Sequence, residues 1–231
     1  MGIRDYLYIS DTKIDNWLPS VPLDSARKIT AALGFNIAIL SVKIETQRDA
    51  KTAPVDRVSK CQILEKWLRA HEKVGSPESG SEWISGTVQA RVIPITAKSA
   101  VLFISSLPSR TLILTGSLRH LIGATGIVPL PNFPSFAFGV LGMLGDMAEK
   151  NVTFQTPEVI EWSIEVQHSR GLEPTWVRTL RTFEEATEQP MQRVAFLAKR
   201  LLPAYQSKYG GQPYEVYSPL FVESVDDSFT G

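Results

Sequence analysis

Between Trp83 and Thr115 the chain runs through three stretches of β-branched and aliphatic residues, Trp83–Ile95, Ala100–Ser105 and Thr111–Thr115. Five residues, Pro108 among them, separate the last two. A connection that short joins antiparallel neighbours, so these two stretches predict a β-hairpin. Around this β-rich centre the sequence alternates helical and strand patterns. Tyr6–Ile9 reads as a strand, and Ser10, Asp11 and Thr12 then start a short helix carrying Ile14, Trp17 and Leu18. A second helix opens at Asp24 or Ser25 and stops at Gly34, a residue suited to a helix C-terminus. Phe35–Ile44 is apolar on both faces and predicts a central strand.

Val58, Cys61, Leu64, Leu68 and His71 recur at the three-and-four spacing of an amphipathic helix, which places His71 on the packed side. Gly75–Ser81 has loop composition and is long enough to be mobile. Between Leu121 and Gly145 there is no charged residue, but prolines 129, 131 and 134 break that segment short of a membrane span. Ile160–Gln167 alternates apolar and polar residues with a period of two, as a half-wet strand does. Thr182–Glu185 has capping-box spacing, and the helix it predicts resumes after Pro190 through Val194, Leu197, Ala198 and Leu201. A last strand is expected within Tyr214–Val225. Strands that come both in hairpins and between helices predict an α+β fold: a mixed, largely antiparallel sheet with helices packed on it. The expected organisation is one compact domain over residues 1–225 and a disordered tail over 226–231.

Composition narrows function. The 231 residues are 43% hydrophobic and 21% charged, enough to bury a core. Lys plus Arg and Asp plus Glu each number 24, so there is no net positive field to support sequence-independent nucleic-acid binding. A single cysteine, Cys61, forms no internal disulfide, and with three scattered histidines it shows no metal-ligand spacing. No metal and no cofactor are expected. The first residues carry no signal-peptide pattern, so a cytoplasmic location is expected.

Four ordered blocks carry a resemblance. Tyr6–Asp15, Arg27–Thr30 with Gly34–Asn36, Gly116–Ala124 and Phe196–Leu202 together resemble an uncharacterised family of actinobacterial and myxobacterial proteins, a domain of unknown function of about this size. The resemblance spans Tyr6 to about Val222 and implies a bacterial cytoplasmic protein. It implies no catalytic assignment, and no functional residue is carried over from it.

The candidate site comes from the residues themselves. Ser10, Asp11 and Lys13 follow the first strand, where polar side chains meet free backbone N–H groups. Gly116, Ser117, Arg119 and His120 follow an aliphatic strand, and here glycine permits close backbone approach beside a guanidinium and an imidazole. The competing structural reading is a helix cap at Ser10 or Asp11 and a plain turn at Gly116. The stretch is neither a P-loop nor a dinucleotide fingerprint. No Gly-x-Ser-x-Gly or His-Glu-x-x-His occurs, and catalytic residues stay unknown. A Cys61–His120 dyad is disfavoured because Cys61 sits on a hydrophobic stripe. Glu161 and Glu165 share a strand face roughly 13 Å apart, too far for paired glycosidase carboxylates.

The reading that follows is a small-ligand binding, sensor or regulatory interaction module of a bacterial cytoplasmic system, taking a small polar or anionic ligand or a protein partner. The alternative is a motif-poor enzyme of the cyclase or isomerase type. Whether any reaction is catalysed is left open by the sequence.

Overall fold

The computed structural model describes residues 4–34, 56–95, 100–123, 190–205 and 212–225. In chain order these form β1 (Asp5–Ile9), α1 (Asp11–Trp17), a 3-10 turn (Leu18–Ser20), α2 (Leu23–Ala32), α3 (Arg57–His71), β2 (Val74–Gly75), β3 (Trp83–Ile95), β4 (Ala100–Leu107), β5 (Arg110–Ser117), a second 3-10 turn (Leu118–His120), β6 (Gln192–Tyr205) and β7 (Tyr214–Ser224). The expected strand at Phe35–Ile44, the alternating segment at 160–167, the capping box at 182–185 and nearly all of the uncharged 121–145 segment lie outside the described residues. Among the described residues no helix is long and apolar enough to cross a membrane.

The sheet is mixed, with helices packed on it, as the sequence predicts. It is not open, however. β3 pairs with β4, β4 with β5, β5 with β7, β7 with β6, and β6 returns to β3, so five strands close a barrel. Strand direction must return to itself around a closed ring, so the number of antiparallel pairings must be even. Five pairings therefore require a parallel one, which is β5 with β7. Taken in chain order, the strands lie around the ring as first, second, third, fifth and fourth, the Greek-key connectivity of an OB-type barrel. β1 pairs antiparallel with the C-terminal part of β7, Phe221–Ser224, beyond the Tyr214–Tyr217 stretch that pairs β5, and the two-residue β2 lies parallel to the start of β3.

Strand alternation divides the apolar side chains between two cores. Ile84, Val88, Val101, Phe103, Leu112, Leu114, Val194, Phe196 and Tyr217 fill the barrel. Ile14, Ala26, Cys61, Leu64 and Leu68 of the helices pack with Tyr6, Ile9, Trp83, Leu197 and Phe221 on the outer face. Closure also explains the bulge in β7. Leu197 pairs with Phe221 while Ala198 pairs with Pro219, so Leu220 is an extra residue. Leu220 and Phe221 thus both face the helices, and Val222 turns back into the barrel.

Three sequence expectations are corrected. Residues 192–205 form a strand where the spacing of Val194, Leu197, Ala198 and Leu201 predicts a helix. β6 is paired on both edges and buried on both faces, so its period of two is hidden and the remaining apolar positions mimic a helical stripe. His71 is exposed, not packed: it stacks on Trp67 at 4.9 Å, beyond the edge of the apolar stripe. The Gly75–Ser81 loop is pinned to the barrel. Pro77 lies in the space left by Gly86, Arg110 Nη2 donates to the Glu78 carbonyl (2.8 Å), and Tyr217 Oη lies 3.2 Å from the Ser81 carbonyl.

Candidate functional site

Because β5 and β7 run parallel, their C-terminal ends emerge at one mouth of the barrel. There the 3-10 turn after β5 meets the start of α1. Tyr8 plugs this end from inside, edge-on to Phe103 (6.1 Å) and to His120 (5.9 Å). A side chain on Gly116 would place its Cβ 2.3 Å from the Tyr8 hydroxyl, so this glycine makes room for a tyrosine. Ser10 and Ser117 also serve Tyr8, through the Ser10 hydroxyl and the Ser117 backbone; burial raises the Tyr8 phenol to about 12. Ser10 is the N-cap residue of α1, yet its side chain makes no capping bond.

Above Tyr8 the structure brings Asp11, Arg119 and His120 together and adds two residues that the sequence reading did not single out, Thr12 and Arg57. Arg57 Nε pairs with Asp11 Oδ1 at 2.7 Å, and its Nη2 donates to the carbonyls of Ile9 and His120, the latter at 3.0 Å. Asp11 Oδ2 lies 3.4 Å from His120 Nδ1. On the other ring nitrogen, Arg119 Nε–H faces His120 Nε2 at 3.2 Å, and Thr12 Oγ1 lies at the same distance. Arg119 Nη2 donates to Thr12 Oγ1 at 2.6 Å. Lys13 is directed elsewhere: its ammonium donates to the Pro219 carbonyl of β7 at 2.7 Å.

The electrostatics follow from burial and crowded positive charge. His120 is 3% exposed. Burial, then the Arg119 guanidinium and to a lesser degree Arg57, lower its pKa to about 4 against the opposing pull of Asp11. The imidazole is therefore neutral at physiological pH. A donor facing Nε2 and a carboxylate facing Nδ1 select the tautomer with the proton on Nδ1. Burial lowers the Lys13 amine to about 7. Neither Arg119 nor Lys13 has a carboxylate partner among the described residues. Cys61 lies in the helical core with its thiol pKa raised by burial, which removes the Cys61–His120 dyad. Among the described residues no group of three or more His, Cys, Asp or Glu is placed to hold a metal ion.

His120 also sets a pH dependence. The unfolded chain takes up its proton near pH 6.5 and the folded one only near pH 4, so the unfolded state binds more protons between those values. Stability should therefore fall as pH drops from 6.5 to 4, with His120 accounting for at most about 3 kcal/mol of the loss. Urea midpoints at pH 7, 5.5 and 4.5 for wild type and His120→Gln test this. A wild-type curve no steeper than the variant's would show that the imidazole is not held neutral.

These features define a class: a closed five-stranded mixed barrel with a helical layer on one side and an arginine–histidine–carboxylate cluster over one mouth. The chain belongs to a family of unknown function, DUF7019, whose model matches residues 4–226. No curated protein and no solved structure matches it.

Proposed function

We propose that the protein is a small-ligand binding module of a bacterial cytoplasmic system, sensory or regulatory in role, and that its barrel mouth holds a small anionic ligand. The observation that carries this reading is the charge balance of the mouth. Two guanidiniums, Arg57 and Arg119, flank His120, and among the described residues the one carboxylate there, Asp11, is engaged by Arg57. Arg119 is exposed and, among the described residues, rests on a hydroxyl and a neutral imidazole, so there it makes no charge-assisted bond to an anion. A carboxylate or phosphate on the guanidinium would make them.

An oligonucleotide reading finds less support. OB-type barrels commonly bind nucleic acid across their second and third strands. The corresponding outer faces here, Leu102 and Ile104 of β4 and Ile113 and Thr115 of β5, are buried, and they offer neither stacking aromatics nor basic groups.

Thermal unfolding in the presence of inorganic phosphate, succinate and nucleoside phosphates tests the proposal. A bound anion at a hundred times its dissociation constant should stabilise the fold by about 2.7 kcal/mol. The gain should disappear in Arg119→Ala. The absence of any shift up to millimolar concentrations would remove the reading.

A further inference from the structure

The contacts of His120 contain more than an anion site needs. Thr12 Oγ1 lies 3.2 Å from His120 Nε2, and Asp11 Oδ2 lies 3.4 Å from Nδ1 of the same ring. A hydroxyl, an imidazole and a carboxylate in that sequence are the parts of an activated nucleophile: base, orienter and attacking oxygen. At rest His120 Nδ1 makes no hydrogen bond among the described residues, so Asp11 faces it without yet bonding it, and such contacts tighten when substrate binds. We propose that the barrel mouth is an esterase site in which Thr12 is the nucleophile, His120 the general base and Asp11 the orienting carboxylate, acting on carboxylic esters that carry an anionic group. This rests on the anion-binding reading of Arg119 and goes beyond it.

The substrate class follows from what occupies Nε2 at rest. The imidazole has one lone pair there, and Arg119 Nε–H is aimed at it from the same 3.2 Å as the Thr12 hydroxyl. Arg119 Nη2 meanwhile donates to Thr12 Oγ1. The guanidinium thus blocks the base and withdraws electron density from the nucleophile. Arg119 is exposed and without a carboxylate partner among the described residues, so an anionic substrate group can draw it outward. That movement frees Nε2 for the Thr12 proton. It also neutralises the nearest positive charge and raises the basicity of the ring. A neutral ester leaves Arg119 in place.

The chemistry needs only water as co-reactant. Thr12 Oγ1 attacks the ester carbonyl carbon as its proton passes to His120 Nε2, and the carbonyl π pair moves onto oxygen. The tetrahedral adduct collapses by breaking the bond to the alcohol oxygen, which takes the proton from the imidazolium and leaves as the alcohol. Water, deprotonated by His120, then attacks acyl-Thr12, and the acid departs as Thr12 regains its proton.

The test uses the full chain with mono-p-nitrophenyl succinate as the anionic ester and p-nitrophenyl acetate as the neutral one. Nitrophenolate release and the intact mass of the protein are read together. The expected result is a succinyl adduct on Thr12 and faster turnover of the anionic ester. Arg119→Ala should erase that preference, and His120→Gln should slow release roughly 100-fold. Thr12→Val should abolish the adduct at an unchanged melting temperature, and Thr12→Ser should restore it. Wild type that forms no adduct, or Thr12→Val that releases nitrophenolate at the wild-type rate, would overturn the proposal. If succinate raises the melting temperature while no adduct forms, the esterase site falls and the anion site stands. If neither is seen, both fall.

Discussion

Replacing Glu215 with alanine is expected to destabilise the protein by about 3–5 kcal/mol, because removing one partner of a buried ion pair leaves the other charge uncompensated. Glu215 is 4% exposed and points into the barrel end opposite His120. Its Oε1 lies 2.7 Å from Arg110 Nη1, and its Oε2 accepts the Tyr217 hydroxyl at 2.9 Å. Arg110 also holds the Glu78 carbonyl, and Tyr217 lies beside that of Ser81, so loss of the carboxylate should disturb the 76–82 loop as well. Urea unfolding should show a lower midpoint. Glu215→Gln should cost less, since its amide oxygen can still accept from Arg110 or Tyr217. The double variant Arg110→Met/Glu215→Leu should regain most of the loss, because an apolar pair removes the desolvation cost together with the attraction. A cost under about 1 kcal/mol for Glu215→Ala would place the pair among solvated surface bridges.

Phe196 and Leu197 provide the second test, of β6 itself. Phe196, 1% exposed, projects into the barrel, and Leu197, fully buried, projects into the helical core. Truncation of either to alanine should cost roughly 3–5 kcal/mol for Phe196 and roughly 2–5 kcal/mol for Leu197, from lost burial and the cavity left behind. Adjacent residues with large effects require an element buried on both faces. On an amphipathic helix carrying Val194, Leu197, Ala198 and Leu201 on its packed side, Phe196 would face away and its truncation would cost little. A small effect at Phe196 beside a large one at Leu197 would therefore restore the helix and open the barrel.

Local patterns were legible where one face of an element is wet. α3 shows its three-and-four spacing because Arg57, Lys60 and Arg69 alternate with the stripe formed by Cys61, Leu64 and Leu68. The β4–β5 hairpin is announced by its short turn and has full register from Ala100–Ser117 to Leu107–Arg110. Gly34, with a φ of +74°, ends α2 as glycine does after a helix. β6 shows no polar alternation to mark its period, because neither of its faces meets water along the buried run.

The candidate site was legible in part for the same reason. Asp11, Arg119 and His120 stand out as polar residues at the ends of apolar strands, and the fold does bring them together. Gly116, Ser10 and Ser117 sit in the same segments but surround the Tyr8 hydroxyl, and Lys13 reaches β7. Thr12 had no mark beyond its place in a helix-starting triplet. Arg57 had none at all, since it meets Asp11 across 46 positions of chain only because α3 docks beside α1.

Hydrophobic periodicity and turn chemistry act over a few residues, so the order and type of most described elements, the burial of Cys61 and the two polar clusters follow from the sequence alone. Closure of the sheet depends on β6 finding β3 about a hundred positions away, and with it come the mouth, the Tyr8 plug and the meeting of Thr12 with His120. Such pairings are decided by the summed burial of both faces of every strand, which no local window contains.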